Sequence, residues 1–272
     1  MTKPIQALDY ETLIETLKKQ SYIDVPFPCS ACQIQEAMEA FFAFLNEPEE
    51  VKHHINFTIA KQHRRGDVGF RHRNASDDLY RDNKDFFHYH PALFKHYGDF
   101  VEAHPVLKSF VTKAQVIWEE VNHIVKQLMK ILDSHHPGLM GHIYNTEDPH
   151  ILLRFLKYEW ETSGHNLAKP HYDAGSFTLA IAESCEGLRI GSRPENLKLV
   201  KHQPGHALFM LSSNFRKIMD RADLEPAWHD VIQMDATQMG KPYARWAMVA
   251  FIEHDGEALP RSETHKWATE VA

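Results

Sequence analysis

His171 and Asp173 stand two positions apart in the stretch His171-Tyr-Asp173, which leads into Phe177-Thr-Leu-Ala-Ile181. Phe177, Leu179 and Ile181 alternate with Thr178 and Ala180, a period-two pattern that predicts a strand. In a strand, residues i and i+2 point to the same face, so this imidazole and this carboxylate would converge on one point. A third donor would have to come from a distant strand, and His229, in Pro226-Ala-Trp-His-Asp-Val-Ile232, is the candidate. Two histidines and a carboxylate on one side of an ion, with open positions opposite, suit a non-haem Fe(II) oxygenase. Further on, Arg245 opens the apolar run Arg-Trp-Ala-Met-Val-Ala-Phe251. An arginine aimed into a β core needs an anion, and its planar fork suits a carboxylate. The chain has 20 histidines, enough to produce a His-x-Asp by chance. A hydrogen-bonded surface histidine is therefore the alternative for that pair taken alone; the ordered set of four residues is more specific.

The elements that would carry these residues divide the chain into two textures. Leu13, Ile14 and Leu17 mark a first helix that Asp9 could cap. Ile34, Ala37, Met38, Phe41, Phe42 and Leu45 recur at helical spacing and predict a second, broken by Asn46-Glu-Pro-Glu-Glu. The polar stretch from His63 to Asp85, with Gly66 and Gly69, reads as a loop. Pro105 opens the longest helix, with an apolar side running from Val106 to Ile131, and His136-Pro-Gly ends it. Past residue 150 come short alternating stretches between turns: Phe177–Ile181, Leu188–Ile190, Leu197–Val200, Ala207–Leu211 and Arg245–Glu253. Such spacing predicts a β-sandwich or barrel rather than βαβ units. The expectation is an α+β, mainly β chain: a mostly helical region over 1–149 packed, as one compact unit, onto a β domain over 150–272.

Composition narrows the partners. The 272 residues are 43% hydrophobic and 25% charged, with a net charge of −7, an ordinary globular balance. An acidic chain lacks the basic field that nucleic acid or an anionic membrane requires, so a small molecule is the expected partner. Three cysteines make no secreted disulfide framework. The N-terminus shows no signal peptide, and no apolar run approaches a membrane span. These features predict a cytoplasmic protein.

Taken together, the motifs resemble those of the isopenicillin N synthase-like family of 2-oxoglutarate/Fe(II)-dependent dioxygenases. The resemblance covers nearly the whole chain. Leu153-Arg-Phe-Leu-Lys-Tyr158, His171-Tyr-Asp-Ala-Gly-Ser-Phe-Thr-Leu179 and Gly187-Leu-Arg-Ile190 look like successive family motifs, and Pro204-Gly-His-Ala-Leu-Phe-Met210 looks like its "PGALVV" strand. In the first half, Asp82-Asn-Lys-Asp-Phe-Phe-His88 resembles its "D-x-K-E-x-F" segment, and Gly66 to Gly69 its glycine-containing loop. The resemblance implies a double-stranded β-helix (jelly roll) buttressed by helices. It implies Fe(II) on His171, Asp173 and His229, with the distal carboxylate of 2-oxoglutarate on Arg245 and Tyr158 also at the co-substrate. Dioxygen would be consumed, with ascorbate a candidate reductant, and succinate and carbon dioxide released as a small molecule is hydroxylated, desaturated or cyclised. Two departures stand out. The family's Arg-x-Ser reads Arg245-Trp246-Ala247, removing one hydroxyl contact to the co-substrate, and its "N-Y-Y-P" reads Leu156-Lys-Tyr-Glu159, leaving Tyr158 alone to carry over.

Other residues have competing readings. Cys29-Ser-Ala-Cys32 has the spacing of a redox or zinc pair but lacks a second pair or a βαβ setting, so two incidental thiols is the preferred account. His63-Arg-Arg-Gly-Asp-Val-Gly-Phe-Arg-His-Arg73 is a basic stretch whose family counterpart lies near the substrate mouth, which makes Arg71 and Arg73 candidate substrate residues; a solvated loop is the alternative. His88 and His90 fall in the scaffold segment and read as packing or substrate-facing groups. His165 precedes the metal strand. The rival functions are an iron-dependent oxidase of the same fold that uses no 2-oxoglutarate, and a non-catalytic jelly-roll protein that binds a metal or ligand.

Overall fold

The computed structural model describes residues 5, 8–59, 67–74, 82–160, 166–234 and 239–255. Helix α1 (Tyr10–Gln20) begins where the Asp9 side chain accepts from the Thr12 amide. Helix α2 (Ala31–Leu45) begins at a reciprocal Ser30/Gln33 capping box, which satisfies amides left without partners in a first turn. The short α3 (Glu49–His54) and α4 (Ala92–Ala103) follow, then α5 (Pro105–Asp133), opened by its proline as expected, and α6 (Leu139–Ile143). The apolar stripe of α5 is wholly buried from Leu107 to Leu132. Phe110 on that stripe meets Phe41 and Phe44 of α2 and Phe87 and Phe155 of the sheet, with ring centroids between 5.0 and 5.5 Å apart.

The strands are β1 (Tyr22–Pro26), β2 (Phe57–Thr58), β3 (Asp67–Arg73), β4 (Lys84–Tyr89), β5 (Ile151–Tyr158), β6 (Asn166–His171), β7 (Phe177–Glu183), β8 (Leu188–Gly191), β9 (Lys198–Leu199), β10 (His206–Leu211), β11 (Trp228–Ile232) and β12 (Arg245–Ile252). They form an eight-stranded sheet, β1-β10-β7-β12-β5-β4-β3-β2, and a four-stranded sheet, β6-β11-β8-β9. Strands β5 to β12 thus shuttle between two antiparallel sheets in the winding of a jelly roll, which stays open as a sandwich rather than closing into a barrel. The first half of the chain extends both edges of the larger sheet, β1 beyond β10 and β2–β4 beyond β5.

One expectation is corrected here. Much of the stretch from His63 to Asp85 is not loop: it contains β3 and the start of β4, paired Gly69↔His88 through Arg73↔Lys84. Charged residues on one face of β3 disguise Val68 and Phe70, which alternate with them and are buried. Gly69 sits at φ +104°, and a Cβ there would fall 2.0 Å from Asn56 Oδ1. That side chain brackets Phe70, accepting from its amide at 2.7 Å and donating to its carbonyl at 3.1 Å. His63, Arg64, Arg65, Gly66 and His165 lie outside the described residues.

The larger sheet has a core on each face. Phe87, Phe155, Leu179 and Met248 pack toward the helices. Phe86, Leu156, Ala180 and Ala247 turn the other way, against Leu167, Leu188 and Val231 of the smaller sheet. This second, inter-sheet core holds the site.

Candidate metal centre

His171 ends β6 and His229 lies in β11, and the antiparallel register sets them directly opposite each other. Their rings are 4.4 Å apart, centroid to centroid. Asp173 lies two residues past β6, where the chain crosses toward β7, and is buried. His171 Nδ1 lies 2.6 Å from the Lys169 carbonyl and His229 Nδ1 lies 3.1 Å from the Ala227 carbonyl. A carbonyl only accepts, so each ring keeps its proton on Nδ1 and presents the Nε2 lone pair. Those two lone pairs face one carboxylate: His171 Nε2 is 3.8 Å from Asp173 Oδ1 and His229 Nε2 is 3.7 Å from Asp173 Oδ2. Among the described residues these three form a group whose donor atoms all lie within 4.8 Å of one another. Ligands about 2.0–2.2 Å from a common ion sit about 3–4 Å apart, so the imidazole–carboxylate separations of 3.8 and 3.7 Å fit a divalent transition metal. Burial and the neighbouring His229 push the His171 imidazole down to about 3, keeping it neutral as a ligand must be.

The carboxylate is held from behind. Thr178 Oγ1 donates to Asp173 Oδ2 at 2.7 Å and is itself 2.8 Å from Ser212 Oγ. The Ser213 amide and hydroxyl both donate to the Asp173 carbonyl, at 2.9 and 2.8 Å. Outer partners of this kind fix the orientation of a ligand. Thr178 was legible only as an intervening position of the alternating strand.

Facing this group, the larger sheet lays down a polar row. Lys84 of β4, Tyr158 of β5 and Arg245 of β12 are cross-strand neighbours, Lys84↔Tyr158↔Arg245. Burial pushes the Tyr158 phenol up to about 12, so it stays protonated. Lys84 is ion-paired with Asp82, yet burial pushes its ammonium down to about 8. Arg245, 2% exposed, forms an ion pair with Glu183 of β7, and its Nε donates to the Cys185 carbonyl at 3.3 Å. Next along β5, the Arg154 guanidinium lies over the rings of Phe86 and Phe251, 4.7 and 4.5 Å from their centroids, and its Nε donates to His88 Nε2 at 2.7 Å. Arg73 stands opposite Lys84 with Nη1 3.6 Å from Asp82 Oδ1, whereas Arg71 stands opposite Phe86 and donates to its neighbour's carbonyl, Phe70 O, at 2.7 Å. Both are partly exposed.

The seven candidate site residues, His171, Asp173, His229, Tyr158, Arg245, Arg71 and Arg73, lie on strands, or in the crossing between them, around one inter-sheet space. Lys84, Arg154 and Glu183 were missed, although the first two lie inside segments quoted for the resemblance. Cys29 is buried, Cys32 is exposed on the first turn of α2, and all three cysteines are free thiols. His90 packs in the core, bonded to the Pro149 carbonyl at 3.1 Å.

The same fold recurs in solved structures. A full-length Neurospora crassa protein in complex with alpha-KG and thymine superposes with a TM-score of 0.67 at 13% identity, over 96% of this chain and 86% of that one. AtDAO1, dioxygenase for auxin oxidation 1 from Arabidopsis thaliana, in its 2-oxoglutarate complex gives 0.66 at 17% identity, over 97% of each chain. The chain therefore shares the fold of these 2-oxo-acid-bound structures. No family model matches the chain, and no curated protein matches it.

Proposed function

We propose that this protein is a non-haem Fe(II), 2-oxoglutarate-dependent oxygenase of small molecules. The observation that carries the reading is the convergence of two imidazoles, each with its proton fixed on Nδ1, and one buried carboxylate on a single point between the sheets. His171, Asp173 and His229 would hold Fe(II), which when bound activates dioxygen with a 2-oxo acid as the source of two electrons. The jelly roll presents the ligands from the smaller sheet side, while Tyr158 and Arg245 on the larger sheet border the co-substrate. The protonated Tyr158 phenol serves as a hydrogen-bond donor there, and the apolar walls of Phe86, Leu156 and Ala180 exclude water.

Arg71 and Arg73, on the partly exposed edge of the space, would meet an anionic or hydrogen-bond-accepting part of the substrate. Hydroxylation, desaturation or ring closure would end the reaction, with succinate and carbon dioxide leaving. Small substrates are supported by the thymine in the Neurospora crassa complex and by the auxin oxidation for which AtDAO1 is named. In this reading the chain divides at 149/150, with the jelly roll supplying the metal ligands and the first half closing the substrate side. The net charge of −7 supports a small-molecule rather than a nucleic-acid partner. No helix among the described residues is long and apolar enough to cross a membrane, and three free thiols support a reducing cytoplasm.

The test is iron stoichiometry followed by anaerobic titration with 2-oxo acids. One Fe(II) per chain, lost in His171→Ala, and a visible charge-transfer band on adding a 2-oxo acid are expected. Iron bound with no band from any 2-oxo acid would move the assignment to an oxidase that uses iron without a co-substrate.

A further inference from the structure

Arg245 does not wait for a ligand: its anion is built into the fold. The pairing of β7 with β12 slips by one between Met248 and Val249, from Met248↔Ala182 and Ala247↔Glu183 to Val249↔Ala180. Ile181 is the extra residue, and both Ile181 and Ala182 end up packed on the helix side. A bulge of this kind re-aims the side chains beyond it. Without it Glu183 would share the face of Phe177 and Leu179; with it, Glu183 lies across from Ala247 on the inter-sheet face. From there its carboxylate reaches the Arg245 guanidinium, two positions along β12. The Ala247 methyl, where the related motif carries a serine, leaves room for that reach. Side-chain exposures of 3% for Arg245 and 8% for Glu183 take the pair largely out of water. The bulge, the small residue and the buried acid are three features of this chain that serve one contact.

We propose that Glu183 determines co-substrate specificity by occupying Arg245 as an internal rival to the distal carboxylate of 2-oxoglutarate. A dicarboxylate arriving at Arg245 must displace a neighbouring charge already seated there, so its second carboxylate contributes little net affinity. A 2-oxo acid lacking that carboxylate loses nothing by comparison. The proposal rests on the oxygenase reading, because it concerns how the same site chooses its 2-oxo acid.

The experiment compares 2-oxoglutarate with 2-oxovalerate, which has the same chain length and a methyl in place of the distal carboxylate. Dissociation constants are read anaerobically from the charge-transfer band of the Fe(II)-loaded protein, without turnover. Wild type should bind the two acids within about threefold of each other. In Glu183→Gln, which keeps the size and a hydrogen-bonding end, 2-oxoglutarate should bind at least tenfold tighter than in wild type while 2-oxovalerate is unchanged. A wild-type preference for 2-oxoglutarate of tenfold or more overturns the proposal, whether or not the variant folds. A folded Glu183→Gln with no gain overturns it too. Failure of both acids to give a band with iron-loaded wild type and variant has a different signature: it removes the oxygenase reading, and the proposal with it.

Discussion

The residues of the metal group differ in what they should cost when removed. His171→Ala or Asp173→Ala deletes a donor and should abolish stoichiometric Fe(II) binding, measured by iron analysis after gel filtration. The metal-free melting temperature should shift by only a few degrees. Thr178→Val keeps the shape but removes the 2.7 Å hydrogen bond to Asp173. Loss of such a support weakens metal affinity by about 10–100-fold, which competition with a chelator would read. Lys84 gives a pH prediction. Its folded pKa of about 8 lies below the ordinary 10.5, so between these values the unfolded chain holds a proton that the native one has shed. Stability owed to this group therefore rises with pH across that window. The urea-unfolding free energy of wild type minus that of Lys84→Met should climb from pH 8 to 10, and a flat difference would refute the buried-ammonium account. Part of this scale was legible: His171, Asp173, His229 and Arg245 form an ordered set along the chain, whereas Tyr158 came only from the family resemblance. Glu183 was not. Period-two counting from Phe177 assigns it to the helix face, and only the bulge, a property of two strands together, sends it to the other.

Among the elements, the helices were easiest to read and the early strands hardest. The apolar repeat of α5 needs no partner to be seen, and its proline start and α2's Ser30 cap are local signals. Strand β1 borrows its partner β10 from the far half of the chain and β4 borrows β5, while β2 and β3 pair only among the early strands. Their apolar residues are thinly spaced among charges, as in Asp67-Val-Gly-Phe-Arg-His-Arg73. Two substitutions test how these elements are held. Phe110 is fully buried between α2 and the sheet, and Phe110→Ala should cost about 3–5 kcal/mol in equilibrium unfolding. Gly69→Ala would meet the Asn56 bracket and an unfavourable φ together, so it should cost more than about 1 kcal/mol. A Gly69→Ala protein as stable as wild type would mean that the Asn56 contact is dispensable.

At the scale of the whole molecule, the halves expected to stack as helices on strands are interleaved more deeply, since one sheet takes strands from both. The proposed division at 149/150 therefore falls between the paired strands β4 and β5 of that sheet. Iron and co-substrate should act on stability by mass action, binding the folded chain alone. The ligands belong to β11, the end of β6 and the crossing that follows, whereas the Lys84–Tyr158–Arg245 row belongs to the opposite wall. On the proposed reading the centre would work as a caliper. A metal alone would pin one jaw; a 2-oxo acid that also leaned on Tyr158 or Arg245 would span the gap and fix its width. Amide exchange should accordingly slow first in β6 and β11 on adding metal, and then in β5 and β12 on adding the acid. The chemistry would then be available only at one spacing of the two walls, a spacing set by the occupants themselves.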